Sequence, residues 1–184
     1  DHTSDTIYTS FPVKNSKNKN LLNSEVIIWT TTPWTIPANK ALAYNKSLKY
    51  LIIEVTSESD FKNKKLIVAK DLLNSFVDEC KIEKFQIISE FLGNDFEGTI
   101  CSHPFHKLGY DYNVPMLEAR FVPTEQGTGI VHCAPSHGPD DFNLCLHHRL
   151  KALATADDDG KYTTNIPLFE ATHILQAHTI TIQN

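Results

Sequence analysis

The sequence predicts an α+β fold, mostly β, in which a curved or barrel-like mixed sheet carries a few flanking helices. Three observations predict it. Short apolar runs of strand length outnumber helical patterns along the 184 residues. No strict alternation of strand and helix appears, which argues against a parallel sheet wound from strand-helix-strand units. A 41% hydrophobic content at this length supports one core, burying roughly 70% of the surface the unfolded chain would expose, without help from disulfides or metal.

The elements follow in order. Ile7 to Val13 is strand-like, and the Lys-, Asn- and Ser-rich stretch from Val13 to Asn23 reads as a solvated loop. Val26-Ile27-Ile28-Trp29 is a short buried strand, stopped where Thr30-Thr31-Thr32 run into Pro33, with Pro37 four residues on. Leu48 to Val55 and Lys65 to Ala69 are further strands. Asp71 to Cys80 is helical, with apolar residues at Leu72, Leu73, Phe76, Val77 and Cys80. Phe85 to Phe91 and Val114 to Val122 read as strands, the second starting near Pro115, and Gly129 to Ala134 as another. Gly138-Pro139-Asp140-Asp141 opens a helix with Pro at its first position and acids in its first turn, continuing to Leu150. Asp158-Asp159-Gly160 marks a hairpin turn, and Ala177 to Ile182 alternates like a strand. There is no internal repeat.

Seventeen basic residues against 22 acidic ones give a net charge of -5, which argues against a protein that wraps nucleic acid or coats membranes. Lys14, Lys17, Lys19, Lys62, Lys64 and Lys65 read as solvated surface. Cys80, Cys101, Cys133 and Cys145 form no CxxC pair, which points to reduced thiols and a cytoplasmic setting. No apolar run approaches the ~20 residues of a membrane span, and residues 1–10 lack signal-peptide blocks. The missing initial Met suggests a single domain, residues 1–184, cut from a longer protein.

Two constellations could carry chemistry. In the first, Trp29 to Asn39, the hydroxyls of Thr30, Thr31, Thr32 and Thr35 and the Asn39 amide cluster where a buried strand meets a Pro-fixed loop. Such groups suit a ribose, an ester oxygen or a water molecule and offer no base for phosphate; β-branching at a strand end would equally explain the threonines. The second runs from Gly127 to Phe142. Within a strand, His132 and Cys133 point to opposite faces and cannot form a dyad, which leaves Cys133 a small core residue. Asp140 and Asp141, at a helix start, form either a simple cap or an anionic site for an ammonium group. His132, His137, Asp140 and Asp141 match no standard zinc spacing, and Gly127-Thr128-Gly129 lacks the lysine of a phosphate loop. His147 and His148 lie late on the helix and carry little signal.

Together these segments resemble the editing domain of isoleucyl-tRNA synthetase, an insertion in that enzyme's catalytic domain. The family's peptide WTTTPWTxPAN matches Trp29 to Asn39, and GTGxVHxAPxHGxDD followed by an aromatic matches Gly127 to Phe142. Ile7 to Val13, His103-Pro104-Phe105 and Asp158-Asp159-Gly160 support it. His132 and the three consecutive threonines favour the isoleucyl over the leucyl or valyl type. Cys133, Ser136 and Ala171 depart from the common Thr, Gly and Gly. The HIGH and KMSKS peptides of the synthetic site are absent, so no isoleucine activation is expected.

The resemblance implies hydrolysis of valine wrongly esterified to the isoleucine tRNA, and of valyl adenylate, by direct attack of a positioned water, with no cofactor or metal in this domain. It implies that Asp141 binds the α-ammonium, that His132 forms part of the side-chain sieve or orients substrate, and that Thr30, Thr31 and Thr32 hold the terminal adenosine and position water. Trp34, Thr35, Asn39, His137 and Asp140 are expected to contribute to substrate binding. The expected partner is the 3′ aminoacylated end of the tRNA, held weakly by a monomeric fragment. A noncatalytic module that docks the acceptor end is the rival reading.

Overall fold

The computed structural model describes residues 6–174 and 176, and the strand-like Ala177 to Ile182 lies outside them. Among the described residues nine strands form one mixed sheet: β1 (Ile7–Asn15), β2 (Glu25–Thr30), β3 (Ala41–Tyr44), β4 (Lys49–Val55), β5 (Lys65–Ala69), β6 (Phe85–Leu92), β7 (Ile100–Ser102), β8 (Asn113–Glu118) and β9 (Ile130–Cys133). Their spatial order is β6-β4-β5-β2-β1-β7-β8-β3-β9, so the sheet is open, with β6 and β9 at its ends. The β2–β5 and β3–β8 pairs are parallel and the remaining pairs antiparallel. The sheet is flanked by α1 (Leu73–Glu79) and α2 (Pro139–His147). The mostly β, α+β architecture expected from the sequence is the one observed.

Period-2 alternation sorts the strand residues into separate cores. On β2, Val26 and Ile28 join Phe11, Ile52, Ile67 and Phe96 inside the curl of the sheet. Ile27 points the other way, with Leu51, Ile53, Leu66 and Val68, and is covered by Leu73, Phe76 and Val77. That burial explains why the short α1 is stable: a fully buried side chain such as Phe76 contributes about 1.5–3 kcal/mol. A third cluster joins Ala41 and Ala43 of β3, Leu117 of β8, Cys133 of β9 and Cys145 of α2.

The curl is pinned by the lead-in to β9, which crosses β5 and β2. Ala69 N–H donates to the Thr128 carbonyl at 2.8 Å, Thr128 Oγ1 donates to the Ile27 carbonyl at 2.6 Å, and Tyr50 OH donates to the Gly129 carbonyl at 2.7 Å. Gly129 has φ +74°, and a Cβ there would meet the Ala69 Cβ at 2.4 Å, so only glycine permits the crossing. The GTG tripeptide thus serves backbone approach between strands.

Several expectations need correction. Strands β3 and β7 were not foreseen, because four and three residues are too short to show a period. The segment 13–23 holds the end of β1 and a 3-10 turn, Lys19–Leu21, that buries Leu21. β8 begins at Asn113 and ends at Glu118, short of Val122, with Pro115 inside it opposite Ile100. α2 ends at His147, three residues early, because Arg149 takes a left-handed φ of +58°. The hairpin turn at Asp158-Asp159-Gly160 forms as read, bridging Ala156 to Tyr162.

Candidate functional site

Trp29 to Asn39 leaves β2 not as a plain loop but as a six-residue 3-10 helix, Pro33–Ala38. Pro33 occupies its first position, where a missing N–H costs nothing. Pro37 inside it cannot donate, and the Trp34 carbonyl is taken instead by the Tyr162 hydroxyl. The helix is clamped further on: Ile36 carbonyl accepts from His103 Nε2 at 3.0 Å, and Asn39 carbonyl accepts from Tyr112 OH at 2.6 Å.

The fold brings this segment against β9 and the start of α2. Together they line a cleft of about 350 Å³ that includes Thr30, Thr31, Thr32, Thr35, His132, His137, Asp140 and Asp141. Trp34 and Asn39, also expected in the site, do not line it. Trp34 packs its ring edge-on to His137, centroids 5.0 Å apart, and Asn39 is wholly buried behind His132. Sequence reasoning missed Trp29, Phe121, Pro123, Val131 and Ala134, which complete the wall. Trp29 and Ala134 lie inside the motifs, whereas Phe121 and Pro123 arrive from the loop after β8 with no local signal.

Hydrogen bonds assign the proton on His132. Thr35 Oγ1 donates to the Thr32 carbonyl at 2.8 Å, so it accepts from His132 Nε2–H, also at 2.8 Å. His132 Nδ1 is then the acceptor facing Asn39 Nδ2, at 3.4 Å, and Asn39 Nδ2 also donates to the Ala41 carbonyl at 2.9 Å. Both ring nitrogens are committed, and burial lowers the imidazole pKa to about 4, with His137 adding to the effect. His132 is therefore neutral at pH 7 and presents its ring as a wall. Cys133, on the opposite face of β9, sits in the third core cluster, where burial raises its thiol pKa well above the ordinary value.

The Asp141 carboxylate is held by the backbone of Ala134: Oδ2 accepts the Ala134 N–H at 2.8 Å, tying the first turn of α2 to the end of β9. Partial burial, and then the charge of Asp140, push its pKa above the usual aspartate value, against the lowering effect of that N–H. Asp140 is exposed at the rim. His137 is fixed by Thr155 Oγ1 at 2.8 Å from Nε2, and burial lowers its pKa. Thr30 Oγ1 accepts the Thr32 N–H at 3.1 Å and lies 3.3 Å from Thr32 Oγ1, so these hydroxyls form one turn. The cleft combines neutral hydroxyls, aromatic and imidazole rings and a carboxylate pair. That chemistry suits a ligand with hydroxyl or ester oxygens and a cationic amine. Among the described residues no three His, Cys, Asp or Glu side chains converge as a metal site would require.

No family model matches the chain. Over 183 residues, 100% of the chain, it is 67% identical to the isoleucine-tRNA ligase of Pelagibacter ubique (strain HTCC1062), and over 96% of the chain it is 42% identical to that of Gluconobacter oxydans (strain 621H). It spans 20% and 19% of those curated relatives' lengths. Among solved structures, GlLeuRS-CP1 superposes with a TM-score of 0.74 at 13% identity, covering 97% of this chain and 94% of that one. The P. knowlesi cytosolic leucyl-tRNA synthetase editing domain gives 0.65 at 11% identity, over 98% and 93%. At such identities the structural likeness speaks for the fold alone.

Proposed function

The chain belongs with the editing domains of isoleucyl-tRNA synthetases, and from that premise we propose that it hydrolyses valine misattached to the isoleucine tRNA, and valyl adenylate. The need is physical. Isoleucine exceeds valine by one methylene, worth about 1–3 kcal/mol in a binding pocket, and this synthetase is the standard example of that limit. A second site that admits valine and clashes with isoleucine sorts by exclusion instead, since overpacking costs energy.

The observation that carries the reading is the convergence of the threonine peptide, His132 and Asp141 on one cleft of about 350 Å³. In this reading Asp141, with one oxygen on the Ala134 N–H, offers the other to the α-ammonium. Thr30, Thr31 and Thr32 hold the terminal ribose and aim a water at the ester carbonyl, a contribution of positioning. His132, held by Thr35 and Asn39, is the rigid wall of the sieve; with both nitrogens engaged it is not assigned as a base. Neither cofactor nor metal takes part. The partner is the 3′ aminoacylated acceptor end.

The test is hydrolysis of valyl and isoleucyl esters of the isoleucine tRNA under matched conditions. Faster loss of valine is expected. Equal rates would end the sieve reading.

A further inference from the structure

The cleft wall contains a second imidazole, His137, carried on the turn between β9 and α2. His132 takes its hydroxyl partner, Thr35, from within the threonine peptide. The partner of His137 comes from a segment that neither motif covers: Thr155 Oγ1 lies 2.8 Å from Nε2 and is buried. Thr155 does not line the cleft, so it can act there through His137 alone.

Thr155 belongs to a small hairpin, residues 153–163. Ala156 bridges Tyr162, Thr163 N–H donates to the Thr155 carbonyl at 3.0 Å, and Asp157 N–H donates to the Lys161 carbonyl at 2.8 Å. One arm meets the lead-in to α2 at two successive residues: Ser136 Oγ donates to the Leu153 carbonyl, and Thr155 holds His137. The other arm meets the threonine peptide, where Tyr162 OH donates to the Trp34 carbonyl. That arm is anchored, since Tyr162 is buried in the main core with its ring centroid 5.6 Å from that of Phe169. Trp34 completes the circuit by setting its ring edge-on to His137. The hairpin thus joins the two motif segments from behind the cleft. Ser136 stands where the family commonly has glycine, which has no hydroxyl to give.

We propose that this hairpin sets the width of the cleft, with Thr155 and Ser136 as positioning residues that fix His137 as a second wall of the sieve. A side chain keeps a site's geometry when the groups behind it are themselves fixed. Two tethers on successive residues, in a turn already closed by the His137 N–H on the Ala134 carbonyl at 2.9 Å, leave the ring little room to swing. The inference rests on the reading of the cleft as a valine sieve.

The test measures hydrolysis of the valyl and isoleucyl esters of the isoleucine tRNA by the wild-type chain and by Thr155→Val, Thr155→Ser and Ser136→Ala. Thr155→Val keeps the shape of the side chain and removes its hydroxyl. It lowers the valine-to-isoleucine ratio of kcat/KM about fivefold, the effect of one lost hydrogen bond, by speeding loss of the isoleucyl ester while the valyl rate holds. Thr155→Ser, which keeps the hydroxyl, retains the wild-type ratio. Ser136→Ala lowers the ratio about twofold, as befits an exposed bond, and decides the matter should Thr155→Val fail to fold. The 15N shifts of the His137 ring nitrogens move in Thr155→Val and stay in place in Thr155→Ser. A lower Tm with an unchanged ratio would make the hairpin purely structural and overturn the proposal, as would a loss of selectivity shared by Thr155→Ser. A selective wild type with indifferent variants overturns the hairpin assignment alone. Equal wild-type rates for the two esters overturn the sieve reading and this one with it.

Discussion

His103 and His132 are both buried, both neutral, and both committed at each ring nitrogen, yet they serve different regions. His103 lies in the interior, stacked on Tyr110 with centroids 4.5 Å apart and edge-on to Phe11, its Nε2–H on the Ile36 carbonyl and its Nδ1 accepting the Phe105 N–H at 3.0 Å. His132 has comparable hydrogen bonds, but one side of its ring faces the cleft. The two hold neighbouring residues of the same 3-10 helix, His103 the Ile36 carbonyl and His132 the Thr35 hydroxyl. The difference teaches that burial and a depressed pKa do not distinguish a structural histidine from one in a site; what distinguishes them is the empty volume beside the ring.

The comparison can be broken or sharpened in four ways. The largest effect is expected for Asp141→Asn, which can keep an acceptor for the Ala134 N–H but removes the charge: hydrolysis of the valyl ester falls about 100-fold or more, with little change in Tm. Full activity in initial-rate assays would dismiss the ammonium site. Next, His103→Phe leaves the Ile36 carbonyl without its side-chain donor and the Phe105 N–H without an acceptor, at about 1–3 kcal/mol each. Thermal melts should fall by about 5–10 °C, and an unchanged Tm would show that the clamp is idle.

Smaller is His132→Ala, which enlarges the wall of the cleft. Isoleucyl ester becomes a substrate, and the valine-to-isoleucine rate ratio drops about tenfold, the worth of one methylene; an unchanged ratio would remove His132 from the sieve. A perturbation that needs no substitution is acid. Burial lowers His132 to about 4 and His103 to about 3, while the unfolded chain titrates near 6.5. Below pH 6.5 the unfolded state therefore binds more protons, so stability falls as pH falls, by about 1.4 kcal/mol per histidine per pH unit down to those values. Urea midpoints between pH 7 and 5 read this out, and His103→Phe should halve the slope from these two groups. A flat profile in the wild type would mean that neither ring is buried neutral in solution.

Much of the fold was legible wherever an uninterrupted apolar run of strand length marked a buried strand, as in β2, β4 and β5, or where proline and acids marked a helix start, as at Pro139. β3 escaped because Ala41 to Tyr44 is only four residues long and half alanine, a weak strand former. The two motifs pointed to eight residues that do line the cleft. They could not distinguish Asn39, which supports His132 from behind, from Thr35, which touches both the ring and the cavity.

By itself, the sequence determined the local chemistry: three threonines at a proline-stopped strand end, His132 and Cys133 on opposite faces, and two acids in a helix's first turn. Those follow from steric and dipolar rules acting over a few residues. Tertiary structure alone decided that residues about a hundred positions apart would share one cleft, that His132 would spend both nitrogens, and that Phe121 would close the wall. Such outcomes depend on how the sheet curls, and the curl is set by the crossing at Gly127 to Gly129, where distant backbones must approach closely.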